Sequence, residues 1–152
     1  MDFRLDDEQL ALQDAVRGFC AARFPLEALA VREGRPIERS DWRGLGELGV
    51  LGVMTAEAGG GAGLGAVEAA IALEELGSHL VPGPVVWSIL AAAWLPGVAD
   101  GGRIVSGLDA PVPAGEPILV EHAADLDTLM LLRPAGVFAC SRATLPEPVS
   151  MP

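Results

Sequence analysis

The sequence predicts an α+β fold: a helical domain over residues 1–96, then a small antiparallel β module over residues 97–152. Three observations carry this expectation. Apolar residues up to Leu95 recur at helical spacing between polar caps and glycine stops. After Pro96 the texture changes to short β-type runs broken by Gly and Pro. Between the last two runs stands Pro134-Ala135-Gly136, a hairpin turn with proline at its i+1 position.

Each element has its own signal. Asp6 caps the first helix, and Gln9 falls where a capping box needs it, with Leu5 and Leu10 placed as a hydrophobic staple. Leu12, Val16, Phe19 and Cys20 mark one buried face, and Pro25 stops the helix after Phe24. Residues 25–39 form a mixed connector. Ser40 is the expected N-cap of a second helix, with Trp42, Leu45 and Leu48 facing inward and Gly49 as its C′ stop. A short apolar run, Val50–Met54, leads into a glycine-rich loop, Glu57–Gly63. An alanine-rich helix over residues 64–76 carries Val67, Ile71 and Leu76. Pro82-Gly83-Pro84 separates it from a helix over Val85–Leu95. The β-type runs are Arg103–Leu108, Pro117–Glu121, Thr128–Arg133 and Val137–Ser141. Four short strands leave an apolar face in need of cover.

Composition narrows the partners. The net charge is −11, and all ten cations are arginines. Such a chain repels phosphate backbones and anionic lipid surfaces, so neither nucleic acid nor membrane is an expected partner. The longest apolar run, Val85–Leu95, is too short to span a bilayer. Cys20 and Cys140 are far apart and no secretory segment follows Met1, which points to free thiols in a cytoplasmic protein. A mean hydropathy of +0.39 is high for a free-standing domain and suggests a missing neighbour.

Few motifs offer chemistry. Gly61-Ala62-Gly63-Leu64-Gly65-Ala66 matches the dinucleotide fingerprint in form, but that mechanism needs a strand running straight into the first glycine. The apolar run ends near Met54, so a tight structural turn is the better reading. Glu68, Glu74 and Glu75 read as a solvated or arginine-paired helix surface rather than as acid/base groups. His79 follows a helix end, where the dipole favours it. Glu121, His122, Asp125 and Asp127 lack regular metal-ligand spacing. Neither Ser78-His79 nor the cysteines form a nucleophile arrangement. Trp42, Trp87 and Trp94 are core or interface anchors.

Four segments in order resemble the acyl-CoA dehydrogenase family: Met1-Asp2-Phe3-x-Leu5-x-x-Glu8-Gln9, Leu45-Gly46-Glu47-Leu48-Gly49-Val50-Leu51-Gly52, Glu57-Ala58-Gly59-Gly60-x-x-Gly63-Leu64 and Leu73-Glu74-Glu75-Leu76-Gly77. The resemblance implies an N-terminal helical domain, a middle β domain and a C-terminal helical bundle. It also implies FAD between the last two, and an acyl chain held between helices of both helical domains. In that family a glutamate of the C-terminal half takes the α proton while the β hydride passes to flavin.

The sequence also departs from the family. It has no T-E-P-x-x-G-S-D-like segment, no K-x-[FY]-[IV]-T-N-like strand, and no counterpart of the C-terminal bundle, so no catalytic or cofactor-binding residue is carried over. The expectation is a truncated member or a non-catalytic subunit of a heteromeric flavoenzyme. It would form a homo- or hetero-oligomer with acyl-CoA dehydrogenase-like subunits, with FAD as implied cofactor and acyl-CoA as possible ligand. Val85, Ser88 and Ala92, which share one helix face, are the acyl-pocket candidates. The alternatives are a protein-interaction module without a ligand, and a dinucleotide-binding protein.

Overall fold

A computed structural model describes residues 4–109 and 118–147. The opening Met1-Asp2-Phe3 and residue Pro117 lie outside the described residues. Helices α1 (Asp7–Arg23), α2 (Leu29–Arg32), α3 (Arg39–Glu47), α4 (Ala66–Ser78) and α5 (Val85–Ala91) precede strands β1 (Val105–Leu108), β2 (Thr128–Arg133) and β3 (Gly136–Ser141).

The expected capping box is present at the start of α1. Gln9 N–H donates to Asp6 Oδ1 (2.9 Å), and Asp6 N–H donates back to Gln9 Oε1 (3.2 Å). Val16 and Cys20 are fully buried, with Leu12 and Phe19 packed beside them. Leu10, expected to pack as a staple, is instead exposed. The α3 helix begins at Arg39 with Glu38 as N-cap and no side-chain cap, so Ser40 lies inside its first turn. Its end is as expected: Gly49 takes φ +83°, and Val50 N–H reaches back to Leu45 O (3.0 Å). That six-to-one bond closes a Schellman motif, which needs a left-handed residue at C′. Gly46 has a different reason. A Cβ there would collide with the Asp100 backbone, so the glycine lets α3 lie flush against the 98–101 turn.

Carboxylates join α1 to α4. Glu75, buried in α4, accepts from Arg17 Nη2 (2.7 Å) and Nε (3.2 Å). Glu68 accepts from Gln9 Nε2 (2.9 Å) and from Gly65 N–H (2.9 Å), which ties the α4 entry to α1. These glutamates hold structure, as the sequence indicated. In α4, Ile71 and Leu76 are buried, whereas Val67 is exposed. One core cluster lies among α1, α3, α4 and the start of α5. A second, built on Ala91, Ala92, Val98, Val105 and Met130, lies between α5 and the sheet.

The sheet order is β1-β2-β3. The β2/β3 hairpin is antiparallel, Arg133 pairing Gly136 across Pro134-Ala135. The β1/β2 pair is parallel, Val105 beside Thr128 and Leu108 beside Leu131, so the sheet is mixed rather than wholly antiparallel. Residues 109–127 run between them, long enough for the crossover that parallel strands require. Spacing alone could not distinguish that crossover from a long hairpin. Residues 118–121 form no strand, contrary to the expected run at Pro117–Glu121. Among the described residues no helix is long and apolar enough to cross a membrane.

Candidate functional site

Of the three residues singled out in the sequence, helix α5 carries Val85 and Ser88; it ends at Ala91 rather than running on to Leu95, so Ala92 is its C-cap residue, and all three are buried. Val85 packs into the helical core, and Ala92 packs into the cluster against the sheet. Ser88 is fully buried, and its hydroxyl spans to β1. It accepts from Val105 N–H (3.1 Å) and donates to Val105 O (3.1 Å). Among the described residues no strand pairs β1 on this side, and the serine supplies partners of the kind a neighbouring strand would give. All three side chains point into the interior, Val85 and Ala92 in separate clusters. This inward side fixes the distance between α5 and β1.

The outward face is the one sequence reasoning passed over. Val86 and Leu90, one helical turn apart, are 53% and 37% exposed, and Trp94 in the turn that follows is 62% exposed. Spacing of four residues was their signal, masked because the whole run is apolar. On β3, Val137 and Phe138 are half exposed as well. Single exposed apolar residues are ordinary, and Val137 and Phe138, consecutive on a strand, point to opposite faces, but a stripe along a helix marks a surface made for contact.

The glycine loop offers no phosphate cradle. Its amides are spent within the chain: Gly61 N–H on Ala56 O, Ala62 N–H on Gly52 O, Gly63 N–H on Thr55 O and Leu64 N–H on Val53 O. Gly65 N–H is taken by Glu68. Val50–Met54 ahead of it is turn, not strand. Pyrophosphate recognition needs free amides at a strand-to-helix junction, and these are occupied. The tight-turn reading holds.

On β1, the Trp87 indole packs directly on Gly107, in the space that a Cβ would take.

A bidentate ion pair joins α3 to the residue before β2. Arg39 meets Asp127 through Nη1–Oδ2 (2.6 Å) and Nη2–Oδ1 (2.9 Å), and Arg39 Nη2 also donates to Asp125 O (3.0 Å). Asp127 Oδ2 also accepts from Ile104 N–H (2.8 Å). Burial alone would push the Asp127 carboxyl up. Hydrogen bonds from Arg39 and Ile104, with the Arg39 and Arg103 charges, outweigh it and hold the carboxyl below its ordinary range. Asp127 is therefore a structural anion. His79 caps α4, its Nδ1 3.0 Å from Glu75 O. Burial, with the Glu75 charge, pushes the Cys20 thiol up to about 11, which makes it an inert core residue.

Comparison with known proteins gives a consistent result. Residues 6–102 match the profile described as acyl-CoA dehydrogenase, N-terminal domain. Benzylmalonyl-CoA dehydrogenase of Aromatoleum aromaticum is 36% identical over 120 residues, covering 78% of this chain and 32% of the relative. The Tcur3481–Tcur3483 steroid ACAD variant is similar in structure, with a TM-score of 0.70 at 27% identity, covering 89% of this chain and 48% of that one. The ChsE4–ChsE5 complex of Mycobacterium tuberculosis shares the fold, with a TM-score of 0.72 at 22% identity, covering 93% and 49%. The chain thus spans about a third of that curated relative and about half of those solved chains.

Proposed function

The chain belongs to the acyl-CoA dehydrogenase family, and from that premise we propose that it forms part of an FAD-dependent enzyme desaturating an acyl-CoA thioester at its α,β bond. In this reading residues 1–96 form the N-terminal helical part and residues 97–152 open the β domain. Flavin contacts and the catalytic base come from outside the described residues, through association with acyl-CoA dehydrogenase-like subunits in the cytoplasm. The observation that carries the reading is the outward stripe of Val86, Leu90 and Trp94 beside a family fold. Val85, Ser88 and Ala92 would act from behind, setting where α5 stands. The face available to an acyl group or a partner helix is the outward one. Two relatives named for ring-bearing substrates make aromatic and steroid acyl-CoA thioesters the first substrates to test.

The test is co-purification with an acyl-CoA dehydrogenase-like subunit encoded beside the chain. The proposal expects a yellow complex that reduces an artificial electron acceptor on addition of such a thioester. A colourless mixture in which the chain neither associates nor supports turnover would contradict it.

A further inference from the structure

A second feature lies away from the α5 stripe. A concavity of about 930 Å³ opens between Leu95, the Gly102-Arg103 turn, the start of β2 and the end of β3. Its polar lining is Arg103, Asp127, Thr128, Ser141, Arg142 and Glu147. In a chain of net charge −11, two of the ten arginines line it, and a third, Arg39, pairs with the Asp127 of its lining.

The charges are not equally committed. Asp127 is satisfied by Arg39 and the Ile104 amide, so it asks for no further cation. Arg103 is part-buried and makes no side-chain hydrogen bond or ion pair among the described residues. Arg142 Nη1 donates long bonds to Leu145 O and Pro146 O (both 3.4 Å), and its Nη2 holds Glu147 (2.9 Å), a carboxylate whose side chain is 92% exposed and has no second partner among the described residues. Once Glu147 is displaced, the groups left facing the concavity carry a net positive charge.

We propose that this concavity binds a phosphoryl group carried by a small molecule, gripped by Arg103 and Arg142, with Glu147 as the in-chain carboxylate that the ligand displaces. Guanidinium forks beside the Thr128 and Ser141 hydroxyls suit an oxyanion with several acceptor oxygens. The volume admits a ligand of nucleotide size.

The probes are inorganic pyrophosphate and adenosine diphosphate, titrated calorimetrically into the full chain at fixed ionic strength, with citrate as the carboxylate control. Both probes should bind saturably and more tightly than citrate. Arg103→Gln should weaken binding about tenfold, the loss expected for one charge-assisted hydrogen bond. Its side chain makes no hydrogen bond among the described residues and acts on Asp127 only as a nearby charge, so the melting temperature should fall little. Glu147→Gln should strengthen binding, because the competing carboxylate is gone. The proposal is overturned by an absence of saturable binding, by equal binding of citrate, or by affinities unchanged in both variants.

Discussion

Removing Asp127 should cost more than removing its ion-pair partner, and the structure gives the size of the difference. The Arg39–Asp127 pair is bidentate, but its side chains are 48% and 38% exposed, so solvent screens it. Such pairs contribute up to about 1 kcal/mol, which sets the expected cost of Arg39→Ala. Asp127 does a second task, because its Oδ2 is the acceptor for the buried Ile104 amide. Leaving a buried N–H without a partner costs about 1–3 kcal/mol. Asp127→Ala should therefore lose about 1–4 kcal/mol, the sum of both effects. Asp127→Asn keeps an acceptor for Ile104 and should resemble Arg39→Ala. Urea unfolding of the variants, with the double mutant to isolate the coupling, measures all of this. The pH dependence has a definite sign. A carboxyl held below its ordinary 3.8 contributes stability that is present above that value and is lost as pH falls through its folded value. Asp127→Asn should lack that part of the acid sensitivity. An Asp127→Ala no less stable than Arg39→Ala would refute the reasoning.

Other positions give independent checks. Gly46→Ala forces α3 away from the Asp100 backbone and should destabilise by about 1–3 kcal/mol in a thermal melt. Gly49→Ala, at φ +83°, should cost about 1–2 kcal/mol through backbone strain alone, leaving the core spectroscopically unchanged. Ser88→Ala strips the buried Val105 amide of its acceptor and should cost about 1–3 kcal/mol, with faster amide exchange along β1. With an aromatic disulfide reagent at neutral pH, the part-exposed Cys140 should react promptly and Cys20 only on unfolding.

Local chemistry was legible in the sequence wherever neighbours in the chain settle the outcome. The Asp6–Gln9 box, the Gly49 stop and the Pro134-Ala135 turn all depend on residues within six positions, and all formed. The family resemblance rested on the same kind of signal. Gly46 was visible as part of a motif, but its role was not, because the backbone that presses on it belongs to the distant 98–101 turn. What could not be read was set at long range. The parallel pairing of β1 with β2, and the contact of Arg39 with a carboxylate 88 residues later, come from tertiary assembly. On α5 the uniform apolar run hid which face is inward. Small side chains drew attention to Val85, Ser88 and Ala92, while Val86, Leu90 and Trp94 face out.

Sedimentation of the chain with an acyl-CoA dehydrogenase-like subunit, recorded at protein and flavin wavelengths together, tests most directly whether α5 is a docking face. The account predicts one yellow boundary containing both polypeptides, which Leu90→Glu with Trp94→Glu splits into separate components. Wild-type chain sedimenting alone as a colourless monomer, indifferent to those substitutions, would contradict it.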